Sequence, residues 1–271
     1  MIAYAYLLGW RIVRYLPESL AYRAFYAIGD YIYRKNGKGI QRLRRNMAKV
    51  SSFQGNELEH LTKEAMRSYM RYWCETFRLT DWDFQKIGRK VELMDSHLMT
   101  DPLDSGKGVV VALPHSGNWD LAAAYFLNLG YEVVTVAERL KPERLFQAFL
   151  KYRQSIGLEI LSTDMRTLPT LIDRAKSGFI IALVADRDLS SSGVAVDFFD
   201  DTAKMPAGPS LIATKADVDL IGAYITYTPT GIKIVFEKLE KNVQATANFF
   251  ERQIANDPVD WHMLQRIWVD A

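Results

Sequence analysis

Between Val109 and Leu129 the chain passes from a short valine-rich stretch, through Pro114 and a turn of small residues, into a helical pattern. A brief apolar run of this kind reads as a buried strand. A strand that feeds directly into a helix is the repeating unit of an α/β fold. The alternation recurs along the chain. Candidate strands fall at 108–113, 131–137, 158–162, 179–185, 219–226 and 231–237, with helical patterns at 119–129, 142–156, 166–177, 206–216 and 241–256. The last two strands are joined by a hairpin-like Thr-Pro-Thr-Gly, so the sheet is expected to be mixed, mostly parallel and covered by helices. A helical front precedes it, including one long helix over 56–80 with Leu58, Leu61, Ala65, Met66, Tyr69, Met70 and Trp73 on an apolar stripe. The 271 residues read as a single domain, with a helical part over 1–95 and an α/β body over 96–271.

Three polar clusters interrupt the apolar pattern. The first is HSGNWD at 115–120, where His115 and Asp120 flank the turn after the first of the strands just given. The carboxyl ends of such strands are where α/β enzymes usually place their chemistry. A histidine held by a carboxylate can take a proton from a hydroxyl near neutral pH. If Asn118 caps the following helix, Asp120 falls in its first turn and can reach back to the ring. The second cluster, Asp186-Arg187-Asp188-Leu189, follows the strand at 179–185. It reads either as an exposed salt bridge or as a source of a carboxylate for the histidine and a guanidinium for a phosphate or oxyanion. Spacing does not choose between these. The third, MPAGPS at 205–210, shapes a helix start and could place Pro206 on a substrate pocket.

Charge divides the chain unevenly. Residues 1–50 hold ten Lys/Arg against two acids, a net +8, while the remainder carries −6. The basic part is interleaved with Trp10, Phe25 and the tyrosines at 4, 6, 15, 22, 26, 31 and 33. Basic, aromatic and apolar residues at helical spacing describe a segment lying in a membrane interface. Each cation near an anionic leaflet contributes about 1 kcal/mol. Nucleic acid is not expected as a partner, because no zinc, helix-turn-helix or RNA-binding signature accompanies the charge. No run of eighteen apolar residues exists, and the apolar start breaks at Arg11 and Arg14 without a cleavage site. The expected location is therefore peripheral, on the cytoplasmic face of the cell membrane, against its anionic inner leaflet.

Other chemistries lack their motifs. There is no G-x-S-x-G elbow and no P-loop. Gly106 and Gly108 lead into a strand rather than a helix, unlike a dinucleotide fingerprint. His60, His97, His115 and His262 do not stand at metal-ligand spacings, and the single Cys74 excludes a cysteine-based metal site. No metal and no bound cofactor are expected. A His/Asp pair without a Ser or Cys nucleophile motif suggests direct transfer to a bound hydroxyl.

HSGNWD matches the H-x4-D motif of lysophospholipid acyltransferase-like families. Around it, RLRRNM at 42–47, YMRYWCETFRL at 69–79, AERLKP at 137–142, YRQSIG at 152–157, DRDL at 186–189, MPAGP at 205–209 and DWHMLQ at 260–265 stand in family order. Together they resemble the bacterial lipid A lauroyl/myristoyl-type acyltransferases, and within these most the actinobacterial phosphatidylinositol mannoside acyltransferase branch. The resemblance implies transfer of a long-chain acyl group from acyl-CoA, palmitoyl-CoA being the expected co-substrate, to a mannose hydroxyl of a membrane glycolipid. It makes His115 the general base, with Asp120 orienting it. In that branch a Glu in the loop equivalent to 186–189 also partners the histidine. Asp186 is one methylene shorter, which leaves open whether Asp120 or Asp186 is the closer partner. Arg153 aligns with a family arginine tied to this network. Arg187 and Lys204, with Arg153, are candidates for CoA or acceptor phosphates. Glu138 and Arg139 of AERLKP, and Pro206, are expected to touch substrate. The alternatives are another glycolipid or lysophospholipid as acceptor, or water, which would make the chain a lipid hydrolase.

Overall fold

The computed structural model describes residues 2–137, 143–162 and 166–268. Its centre is a seven-stranded sheet in the order β1-β9-β8-β2-β5-β3-β4. These strands are β1 (Val91–Met94), β2 (Val109–Leu113), β3 (Val133–Ala137), β4 (Glu159–Ser162), β5 (Ile180–Val184), β8 (Asp219–Tyr227) and β9 (Ile232–Leu239). All neighbours pair in parallel except β8 and β9, whose hairpin closes over Thr228–Gly231. A separate two-stranded ribbon, β6 (Val194–Asp197) with β7 (Thr202–Met205), projects after β5. The mixed, mostly parallel sheet expected from the alternation is the one observed.

Four helices form the front: α1 (Ile2–Tyr15), α2 (Glu18–Lys35), α3 (Lys38–Val50) and α4 (Gly55–Arg78). They are followed by α5 (Phe84–Arg89), α6 (His97–Asp104), α7 (Trp119–Asn128), α8 (Glu143–Ser155), α9 (Thr167–Lys176), α10 (Gly208–Ala216) and α11 (Val243–Asn256). The expected front extended to residue 95, but β1 already belongs to the sheet, pairing Val91–Met94 with Ile232–Val235.

Strand β2 is buried along its whole length, and its alternate residues face opposite cores. Val110 and Ala112 join one cluster, with residues of α3, α4, α10 and α11. Val109, Val111 and Leu113 join the other, with residues of α6, α7 and α8. This period-two division is what a central strand covered on both faces requires.

The front is packed on the body rather than held away from it. Trp10 of α1 donates from Nε1 to Phe77 O of α4 at 3.1 Å, stacks on the Phe77 ring, and meets the Phe149 ring of α8 with centroids 5.4 Å apart. Helix α2 buries Ala21, Phe25 and Gly29, and α3 buries Ile40, Leu43, Met47 and Val50. Ion pairs reinforce the seams: Arg14 with Asp81, Arg67 with Asp30, and Lys86 and Lys90 with Glu18. Among the described residues no helix is long and apolar enough to cross a membrane.

Candidate active site

The site forms where β2 and β5 end side by side. Leu113 pairs with Val184, so the residues that follow each strand emerge at the same edge. His115 Nδ1 lies 2.7 Å from Asp186 Oδ1, and the His115 backbone N–H donates to Asp186 Oδ2 at 2.9 Å. Trp261 Nε1 donates to the same Oδ2 at 3.0 Å. Asp186 is fully buried. Burial pushes its carboxyl pKa up, but the His115 charge and these three donors outweigh it and hold the group below its ordinary value. An ionised Asp186 fixes the imidazole with its proton on Nδ1. The lone pair is then on Nε2, which has no hydrogen bond among the described residues, on a side chain 40% exposed.

The turn between β2 and α7 is shaped by its own sequence. Gly117 adopts φ +54, and a Cβ there would stand 2.7 Å from the Ile225 carbonyl oxygen, so only glycine fits. Ser116 Oγ accepts from Ile225 N at 3.2 Å. Asn118 caps α7 as expected, its Oδ1 accepting from Leu121 N at 3.0 Å. Asp120 lies in the first turn of α7, but its carboxylate does not reach back to the ring. It accepts instead from Arg153 Nε at 2.9 Å and from Tyr72 Oη at 3.0 Å. The reason is placement: α8 and α4 bring these two donors to a carboxylate only 2% exposed, while Asp186 occupies Nδ1. Burial works against the Arg153 charge, but Asp120 more than compensates and raises the guanidinium pKa. The closer partner of His115 is therefore Asp186.

The DWHMLQ segment closes the site from behind. His262 N donates to His115 O at 2.7 Å, and Gly117 N donates to Asp260 O at 3.0 Å. Asn46 of RLRRNM anchors the segment, donating to Met263 O and Gln265 O at 2.7 and 2.9 Å. Ser68 Oγ lies 2.5 Å from Asp260 Oδ1 and 2.9 Å from His262 Nε2. The serine proton goes to the carboxylate, so the serine oxygen accepts from His262 Nε2–H. Burial, with the nearby His115 charge, lowers the His262 pKa to about 3 and keeps that ring neutral.

A cavity of about 580 Å³ opens beside His115. Its wall carries Asp120, Arg153 and Arg187 near the polar end, then runs over one sheet face through Val111, Val133, Ile180 and Ala182, with Trp73, Phe126, Phe146 and Phe149 opposite. Arg187 is half-buried and makes no hydrogen bond or ion pair among the described residues. His115, Asp120, Asp186, Arg153 and Arg187 are thus brought together. Lys204, on β7, and Pro206, just after it, do not line the cavity. Glu138 and Arg139 lie outside the described residues. Sequence reasoning missed Tyr72, Ser68, Glu75 and Trp261 as contributors. The first three recur at i, i+4 and i+7 within α4, a row of polar groups on its buried side, and that periodicity was the available signal.

Comparison with known proteins gives the family. Residues 1–269 match the family described as bacterial lipid A biosynthesis acyltransferase. A phosphatidylinositol mannoside acyltransferase of Mycolicibacterium smegmatis is 38% identical over 276 residues, covering 97% of this chain and 90% of the relative. The Mycobacterium tuberculosis protein of the same name is 36% identical over 280 residues, covering 98% and 88%. With a match over nearly its whole length, the chain belongs to the bacterial lipid A biosynthesis acyltransferase family and is an acyltransferase.

Proposed function

We propose that this acyltransferase moves a long-chain acyl group from acyl-CoA to a mannose hydroxyl of phosphatidylinositol mannoside, with His115 as general base. The observation that carries the reading is the His115–Asp186 pair standing at the polar end of a long apolar cavity. His115 Nε2 takes the proton of the acceptor hydroxyl. The resulting alkoxide attacks the thioester carbonyl, and a tetrahedral oxyanion forms. Its collapse breaks the C–S bond, and the thiolate recovers the proton from the imidazolium as CoA-SH. Asp186 supports the imidazolium throughout. Arg187, which has no hydrogen-bond or ion-pair partner among the described residues, is a cation suited to meet a CoA or acceptor phosphate. The acceptor assignment rests on the relatives named phosphatidylinositol mannoside acyltransferase, which are 36–38% identical over nearly the whole chain.

A lipid acceptor requires access to a bilayer. On α2, Leu20, Ile28 and Tyr31 are exposed, and with Ala24 and Ala27 they share one face of the helix. Ile12 and Tyr15 of α1 are exposed as well. Arg23, Arg34 and Lys35 flank the α2 stripe, the arrangement of an interfacial helix on an anionic surface. The reading places this face on the cytoplasmic leaflet of the cell membrane.

The experiment is a competition. Radiolabelled palmitoyl-CoA is offered with phosphatidylinositol mannoside, a lipid A precursor and lysophosphatidic acid together. Label in the mannoside is the expected result. Label mainly in either of the others would reassign the acceptor, and free fatty acid as the main labelled product would make the chain a hydrolase.

A further inference from the structure

Glu75 of α4 is fully buried, and proton transfer at His115 makes no use of it. A buried carboxylate persists only where donors satisfy its oxygens. Oε1 accepts from Arg71 Nε and from Tyr22 Oη, both at 2.9 Å, and Oε2 accepts from Asn118 Nδ2 at 2.8 Å. Each donor ties Glu75 to a different part of the molecule, Arg71 doing so from one turn earlier on α4 itself. Tyr22 belongs to α2 of the front. Arg71 also donates to Thr228 O at 2.8 Å and Gly231 O at 3.1 Å, in the β8–β9 turn. Asn118 belongs to the turn that carries His115 and Asp120.

Asn118 is committed at both ends. Its oxygen caps α7 through Leu121 N–H, and its NH2 group faces the carboxylate. The amide cannot be reversed without setting donor against donor and acceptor against acceptor. The start of α7 is therefore registered against Glu75, and through it Asp120 and the return to His115.

We propose that Glu75 is a positioning residue for the HSGNWD turn, acting through Asn118; this rests on the acyl-transfer reading of His115. Glu75 does no proton transfer. It holds the turn in the one place from which Nε2 meets the acceptor hydroxyl.

The test exchanges the two chemistries. Glu75→Gln sets an NH2 group against the Asn118 NH2 or, reversed, against Arg71. Asn118→Asp sets carboxylate against carboxylate. The double variant restores the pairing: the new carboxylate at 118 accepts both from Leu121 N–H and from the new amide at 75, with net charge unchanged. Each single variant is expected to lower kcat on the order of 10- to 100-fold, as small misplacements of reacting groups do, with KM for palmitoyl-CoA within about threefold. The double variant is expected to return kcat to within about fivefold of the parent. A purely structural role would lower the melting temperature without this reversal in kcat. Near-parental kcat in the single variants, or a double variant no faster than Asn118→Asp, would overturn the proposal. If Glu75→Gln does not fold, the comparison of Asn118→Asp with the double variant decides alone. His115→Ala in the same assay separates the two levels. Full activity there removes the general-base reading itself, whereas a dead His115→Ala with an unrescued double variant removes only the role of Glu75.

Discussion

His115 and Asp186 stand 71 positions apart in sequence, yet Nδ1 of one and Oδ1 of the other are 2.7 Å apart. Parallel pairing of β2 and β5 makes this contact, and Trp261 holds the second carboxylate oxygen. Asp120, five residues from His115, is turned away toward Arg153.

The two aspartates should therefore fail differently. Asp186→Asn removes the acceptor that keeps the proton on Nδ1 and should lower kcat by about 10²–10⁴-fold with the fold retained. Asp120→Asn strips a buried guanidinium of its counter-charge and should cost about 3–5 kcal/mol of stability. Paired kinetics and thermal melts check this. Equal loss of kcat with no change in melting temperature for Asp120→Asn would contradict it.

The cavity carries its own ruler. Ile180 on β5 meets Val133 on β3 four residues below Val184, about 13 Å at strand spacing. Ala182 stands midway and lines the wall. Ala182→Phe should reduce kcat/KM for palmitoyl-CoA by roughly 5- to 160-fold, the equivalent of 1–3 kcal/mol of overpacking. A hexanoyl donor should be turned over within about threefold of the parent rate. Equal losses for both donors would place the chain elsewhere.

Stability should fall on mild acidification because of His262. Its folded-state pKa of about 3 lies below the ordinary 6.5, so below pH 6.5 the unfolded chain binds a proton that the native state refuses. Stability is fully present above 6.5 and is lost as pH falls toward 3, with a slope approaching about 1.4 kcal/mol per pH unit. Asp260, whose carboxyl burial pushes up, works in the opposite sense. Melting temperatures of the parent and of His262→Gln, compared between pH 7 and 4, isolate the histidine. Parallel curves would show that it contributes nothing.

The basic front should now be tested with the structure in view. Arg14 and Arg44 are held by Asp81 and Glu59, so replacing them would confuse folding with binding. Replacing Arg11, Arg23, Arg34 and Lys35 with Gln should weaken sedimentation with anionic vesicles and make the residual binding less salt-sensitive. Unchanged binding would leave only the apolar face of α2 to account for attachment.

What could be read from the sequence followed the strength of its periodicities. The long helix α4 was legible from its apolar stripe, and β2 and β5 from their continuous apolar runs. The ribbon β6–β7 was not, because each strand is only four residues long and too short to show a period. Strand β1 is four residues long with a mixed pattern, and only its pairing with β9 makes it a strand. At the site, His115 and Asp186 were legible as polar residues ending apolar strands. Which acid serves His115 was not, since it depends on the β2–β5 register and on Arg153 arriving from α8. Lys204 looked suitable by charge alone, but the ribbon carries it away from the cavity wall.

The central claim is that His115 activates the acceptor hydroxyl. The direct measurement is steady-state acyl transfer from palmitoyl-CoA to phosphatidylinositol mannoside by the parent and by His115→Ala, with circular dichroism verifying that both are folded. A loss of about 10²–10⁴-fold in kcat is predicted for the variant. A folded His115→Ala within about threefold of the parent would contradict the account.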